Sequence, residues 1–242
     1  MRRPYLPPDY RADAAHWNVQ RTVHIEAEWD PRDPAGEMAF IAGLRAQYGL
    51  PTVAIAQAWL DRDDCPAVLE RHAQHSFVRG ARHKPRPGQM DDARWRAGYA
   101  LLARLGLHFE LQAPWPELAA AARLAREFPN TTIVLNHAGL PLPTELNGWR
   151  AAMSELARCA NVAVKISGLG NLDAAAQHRV ISAVLELFGT RRTMFASNYP
   201  VDSLRASYDA IYGLFDEATR GLAAAERRDL FHDNAVRIYR ME

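Results

Sequence analysis

Seven short apolar, β-branched segments each run up to one or two polar, chemically capable residues, and an amphipathic helix follows each. No other feature constrains the fold as strongly. The endings are Val23-His24-Ile25-Glu26, Val53 to Gln57, Val78 to His83, Leu107 to Gln112, Ile133 to His137, Val162 to Ser167, and Met194 to Asn198. Polar groups gathered where strands finish are the hallmark of parallel α/β enzymes, which seat substrate at that end of the sheet. Thr132 to Leu135 and Val162 to Ile166 are almost continuously apolar, as strands are when helices cover both faces.

The intervening segments carry helical periodicity. In 35–48, Met38, Ile41, Leu44 and Tyr48 fall close to a 3.6-residue stripe. Further helices are expected over 64–75, 91–105, 116–128, 146–159, 173–189, 203–218 and 223–240. Asp91 and Ser203 are candidate N-caps, and Pro116 suits a first turn. The alternation predicts an α/β fold of (β/α)8 TIM-barrel type, which requires eight strands. Only seven are legible. A helix is expected over 8–18, and the residues before it are too proline-rich for a central strand. The expectation is therefore a single domain, 1–242, without the barrel's first strand; its 242 residues are close to the roughly 250 typical of such barrels.

The balance of 29 Lys plus Arg against 28 Asp plus Glu leaves a net charge of +1, which argues against broad capture of nucleic acid or an anionic membrane. A small-molecule substrate is the expectation, with a homo-oligomer left open. Cys65 and Cys159 lie in helical segments without close spacing, so they read as buried thiols. No apolar run reaches signal-peptide or membrane-span length, and a cytoplasmic location is expected.

The chemical candidates sit at the strand ends. His137, in Leu135-Asn136-His137-Ala138-Gly139, is positioned to ligate a metal or donate to a developing oxyanion; the alternative is a buried histidine bonded to a carbonyl. His24, Glu26 and Glu28 alternate and so are expected on one strand face, with Glu26 as the acid, base or orienting group. The alternative leaves Glu28 in a solvated loop and His24 in packing. Arg79, Arg82 and His83 concentrate cations where a strand opens into a loop, which suggests an anionic substrate, although a solvated basic loop would look the same. Lys165 and Ser167 share a face, and a lysine between Val164 and Ile166 must reach a mouth or a carboxylate. Gln112 and Asn198 could hydrogen-bond substrate, Gln57 more weakly, and Asp202 reads as a helix cap or a displaced catalytic carboxylate. Gly168-Leu169-Gly170-Asn171-Leu172-Asp173 lacks the third glycine of a dinucleotide loop, and no Gly-Xaa-Ser-Xaa-Gly elbow occurs.

In order along the chain, His24-Ile25-Glu26, Arg79-Gly80-Ala81-Arg82-His83, Phe109-Glu110-Leu111-Gln112, Asn136-His137-Ala138-Gly139-Leu140-Pro141, Lys165-Ile166-Ser167-Gly168-Leu169, Ser197-Asn198-Tyr199-Pro200 and Asn234-Ala235-Val236-Arg237-Ile238-Tyr239 form a set of landmarks. That set resembles the amidohydrolase-related (amidohydrolase 2) TIM-barrel hydrolases, in the branch of 2-pyrone-4,6-dicarboxylate lactonase and the sugar lactonases. The resemblance implies a hydrolase opening the lactone of a small anionic metabolite at the C-terminal mouth. His137 with Lys165 or Arg82 would stabilise the oxyanion, and Arg82 or His83 would hold a carboxylate. It also implies a His-Xaa-His pair on the first strand and an Asp on the last. Here the pair is absent and Asn198 takes the Asp position, so Glu26 or Asp202 would have to activate water. With His137 as the one matching ligand, no confident metal site follows; zinc or manganese would be expected only with the first strand supplied. Relatives with the same barrel also perform metal-dependent decarboxylation, and an inactive barrel is the remaining alternative.

Overall fold

A computed structural model describes residues 4–241. The legible strands all form: β1 (Val23–Ile25), β2 (Val53–Gln57), β3 (Val78–His83), β4 (His108–Leu111), β5 (Ile133–Leu135), β6 (Val162–Ile166) and β7 (Thr193–Phe195). They pair in parallel, in the order of the chain. α1 (Pro7–Asp13) precedes β1, and the connections carry α2 (Gly36–Tyr48), α3 (Cys65–Ala73), α4 (Ala93–Arg104), α5 (Leu118–Glu127), α6 (Leu146–Ala157) and α7 (Ala174–Phe188). After β7 come α8 (Tyr208–Ala218), α9 (Ala224–Arg228) and α10 (Asn234–Ile238).

Strand alternation divides the core in two. Ala54, Ala56, Ala81, Phe109, Leu111, Ile133, Leu135, Val164 and Ile166 face the helices. Val53, Ile55, Val134, Ala163 and Met194, from β2, β5, β6 and β7, meet in a second buried cluster with Tyr239 and Met241. Inward residues of separated strands touch only if the sheet curls, so the second cluster is the interior of a barrel-like sheet. Close inner packing makes Gly80 obligatory: a Cβ there would lie 2.5 Å from the His108 carbonyl oxygen. Outside, Trp95 and Tyr99 of α4 stack on each other and meet Phe109 edge to face. Burying each such ring contributes roughly 1.5–3 kcal/mol.

Among the described residues, no pairing joins β7 to β1. A cleft of about 450 Å³ is lined by His24, Ile25, Met194, Ala196, Lys165 and Tyr239. The geometry is that of a (β/α)8 barrel short of one strand.

The helix boundaries differ in detail from expectation. Asp92, not Asp91, caps α4 by accepting from Trp95 N at 2.9 Å, while Asp91 pairs with Arg123 at 2.7 Å. Ser207, not Ser203, caps α8 by accepting from Ala210 N, because Ser203 lies in a separate 3₁₀ turn, Val201–Leu204. The helix expected over 223–240 is broken by a π-helical turn, Asp229–Asp233. Both cysteines are free and buried. No helix among the described residues is long and apolar enough to cross a membrane.

Candidate active site

The polar ends of the strands meet at the C-terminal side of the sheet, where unusual backbone also collects. Glu28, His137, Ala138, Leu140 and Asn198 all have positive φ. Non-glycine residues in this region cost on the order of 1–3 kcal/mol each and are held by their surroundings, most often at functional sites. Trp149 Nε1 clamps the His137 turn by donating to the Ala138 carbonyl at 2.7 Å.

His137 leaves the end of β5 with Nδ1 2.9 Å from Ser167 Oγ at the end of β6. Burial, reinforced by Lys165 and Arg82, lowers its pKa to about 3, so the imidazole is neutral near pH 7. A base that weak removes protons poorly, whereas a neutral ring donates hydrogen bonds well. In the tautomer in which Ser167 donates to Nδ1, the ring proton resides on Nε2 and is free to donate. Gly168 permits this contact: its φ is +66°, and a Cβ there would stand 2.8 Å from His137 Nδ1.

Asp202 approaches the same glycine. Its carboxylate accepts hydrogen bonds from the Gly168 backbone and from Asn198 Nδ2, the latter at 2.8 Å. Burial raises its pKa despite these bonds. A carboxyl group with its pKa moved toward neutrality is a better general base than an ordinary one. The amide of Asn198 thus orients a carboxylate four residues farther along. Asp202 lies inside the 3₁₀ turn before α8 and does not cap that helix.

Behind the mouth, the inward residues of β3 to β6 form one polar network. Lys165 Nζ is 2.8 Å from Glu110 Oε2, Tyr239 donates to Glu110 Oε1 at 2.6 Å, and Asn136 Nδ2 donates to the same carboxylate. Burial opposes the charge of Glu110, but Lys165 and His108 outweigh it and hold the carboxyl well below its usual range. Burial likewise lowers the Lys165 pKa, with Glu110 opposing. Arg82 binds Glu26 twice, through Oε1 and the backbone carbonyl, each at 2.6 Å, and donates to Gln112 Oε1 and Asn136 Oδ1.

Other sequence candidates lie elsewhere. β1 ends at Ile25, so the expected common face of His24, Glu26 and Glu28 dissolves: His24 turns to α2 and bonds Glu37 at 2.9 Å, while Glu28 pairs with Lys84. Arg79 is the second residue of β3 and sits at the opposite end of the sheet, donating to the Arg240 carbonyl at 3.2 Å. His83 faces α4, where its Nδ1 accepts from Trp95 Nε1 at 2.9 Å and Leu60 N at 3.2 Å. Burial lowers its pKa to about 4. The side-chain oxygen of Gln57 is buried without a partner among the described residues. Sequence reasoning passed over Glu110, Asn136 and Tyr239. The first was legible as the inward neighbour of Gln112 on β4, the second as the neighbour of His137; Tyr239 reaches the network only through tertiary folding.

The donor set does not fit a metal. Among the described residues, no three His, Cys, Asp or Glu side chains converge on a common point. The charges acting most strongly on His137, Lys165 and Arg82, are both cations.

An amidohydrolase family model matches residues 1–241. An uncharacterised protein of Sinorhizobium fredii is 37% identical over 259 residues, covering 100% of this chain and 87% of that protein. An L-fucono-1,5-lactonase of Burkholderia multivorans is 32% identical over 266 residues, covering 97% of this chain and 87% of the enzyme. A crystal structure of a Burkholderia multivorans amidohydrolase with bound zinc superposes with a TM-score of 0.89 at 27% identity, over 99% of this chain and 90% of that one. With its parallel strands, its polar strand ends and a family match spanning nearly every residue, this chain belongs to the amidohydrolase family of TIM-barrel-like hydrolases.

Proposed function

We propose that the protein is a lactonase that opens the 1,5-lactone of a small sugar acid at the C-terminal mouth. The observation that carries this reading is the convergence of Asp202 and His137 on Gly168, a proton acceptor and a neutral hydrogen-bond donor at one strand end. Asp202 takes a proton from water as the oxygen attacks the lactone carbonyl. The oxyanion accepts a hydrogen bond from the Nε2–H of the neutral His137, which keeps its proton and is tuned to that role by Ser167 and by burial. On collapse the ring C–O bond breaks, and the proton held by Asp202 passes to the departing oxygen. The hydroxy acid formed then ionises and releases one proton to solvent.

Charge as well as the relatives' names supports this substrate class. Arg82, Lys84 and Arg86 are paired with Glu26, Glu28 and Asp61 respectively. The mouth is thereby suited to an uncharged, hydroxyl-rich ring, and the anionic species is the opened acid. Glu26 is committed to Arg82 and to Glu28 N, which leaves Asp202 as the base. Measuring proton release from L-fucono-1,5-lactone and other sugar 1,5-lactones tests this directly. Turnover above the spontaneous rate is expected, with Asp202→Asn slower by roughly 10²–10⁴-fold and His137→Ala by roughly 10²–10³-fold. Folded protein that turns over none of these lactones would overturn the proposal.

A further inference from the structure

The end of the sheet opposite the mouth holds a second cavity, of about 360 Å³, beneath the N-terminal ends of β4 to β6. Arg192, Arg237, Arg240 and His108 line it together with Asn130 and Asn161, and no Asp or Glu among the described residues does. Three guanidiniums in one cavity with no carboxylate among its described lining residues are unusual in a chain whose charges otherwise balance.

Among the described residues, these guanidiniums are held by carbonyl and amide oxygens and pair with no carboxylate. Among the described residues, Arg192 donates to the carbonyls of Ala157, Cys159 and Val162 at 2.9 to 3.3 Å. Arg237 donates to the Arg191 carbonyl and to Asn234 Oδ1, and Arg240 to the carbonyls of Arg79 and Gly106. A guanidinium carries five N–H donors, so each of the three retains at least two beyond these contacts. The carbonyls fix the side chains, which lowers the ordering cost of binding a ligand. His108 adds an independent sign. It is 5% exposed, and its Nδ1 is buried with no hydrogen-bond partner among the described residues. An unpartnered buried polar group costs about 1–3 kcal/mol, which a ligand oxygen would offset.

We infer that this cavity binds a small dianionic oxyanion, inorganic phosphate or a phosphate monoester, through Arg237 and Arg240 with Arg192 and His108 behind them. Guanidinium forks match tetrahedral oxyanions in geometry and charge, and a volume of about 360 Å³ suits one small ligand. The site is distinct from the lactone-opening mouth and does not depend on that reading.

Isothermal titration calorimetry with inorganic phosphate and, separately, glycerol 3-phosphate tests the inference. Saturable one-to-one binding is expected, with the monoester tighter if its glycerol fills the remaining volume and the free ion tighter if it does not. Arg237→Gln/Arg240→Gln should weaken binding at least about 10-fold. Arg237→Lys/Arg240→Lys, which keeps the charge, should lose less; it supplies the comparison if the glutamine pair does not fold. The absence of saturable heat, or an unchanged affinity in either double variant, would overturn the assignment.

Discussion

Glu110 and Lys165 face each other at 2.8 Å inside the barrel, both almost fully enclosed. Removing one partner strands the other charge in a low-dielectric interior. Lys165→Met should therefore destabilise the fold by about 3–5 kcal/mol, whereas Lys165→Met/Glu110→Gln should recover much of the loss in denaturant melts. Additive losses would contradict a coupled pair. Two histidines make a second residue-scale prediction. Burial holds His83 and His137 neutral, with pKa values of about 4 and about 3 against 6.5 for a free ring. Between those values the unfolded chain binds more protons, so their contribution is complete above pH 6.5 and is lost as pH falls toward 4. Each amounts to roughly 3 kcal/mol or more. Chemical denaturation at pH 7.5, 6, 5 and 4 should show stability falling across this window, and a flat profile would refute it. Strand alternation made Lys165, Ser167 and His137 legible. The common face expected for His24, Glu26 and Glu28 fails because β1 ends at Ile25, before either glutamate, and His24 bonds Glu37 of α2. His83 was misread because it belongs to the helix-facing parity of β3, with Ala81.

At the scale of elements, β1 and β7 differ from the strands between them. Each has one edge without a strand partner among the described residues, whereas β5, equally three residues long, is paired on both edges. Short edge strands limit pairing with other chains but also open more readily. Hydrogen exchange read by mass spectrometry should label peptides containing 23–25 and 193–195 well before those containing 108–111 and 133–135. Equal protection would show that another element covers the edges. All seven strands were readable because parallel strands buried on both faces give unbroken apolar runs. The helices were readable from their stripes, but their termini were not. Asp91 and Asp92 are chemically equivalent caps, and only the extended backbone at Asp92 selects between them. The π-helical turn before α10, Asp229–Asp233, carries no local sequence signal.

For the whole molecule, the two ends of the sheet have different characters. The C-terminal mouth gathers strained backbone, a neutral imidazole and a carboxylate with a raised pKa; the opposite end gathers arginines tied to carbonyls. The family was legible because landmarks at successive strand ends occurred in order. The carboxylate proposed as the base was harder to identify, since Asn198 occupies the expected position and Asp202 reaches the mouth only through a turn that the sequence reads as a helix cap. The central claim is that Asp202 activates water beside a neutral His137. The most direct test is kcat/KM for L-fucono-1,5-lactone against pH, corrected for spontaneous opening, in the wild type and Asp202→Asn. The wild-type rate should rise with pH through a single ionisation above 3.8, the ordinary Asp value, as the raised pKa of Asp202 requires. Asp202→Asn should lower the rate and abolish that limb. A variant that retains both the rate and the limb would contradict the account.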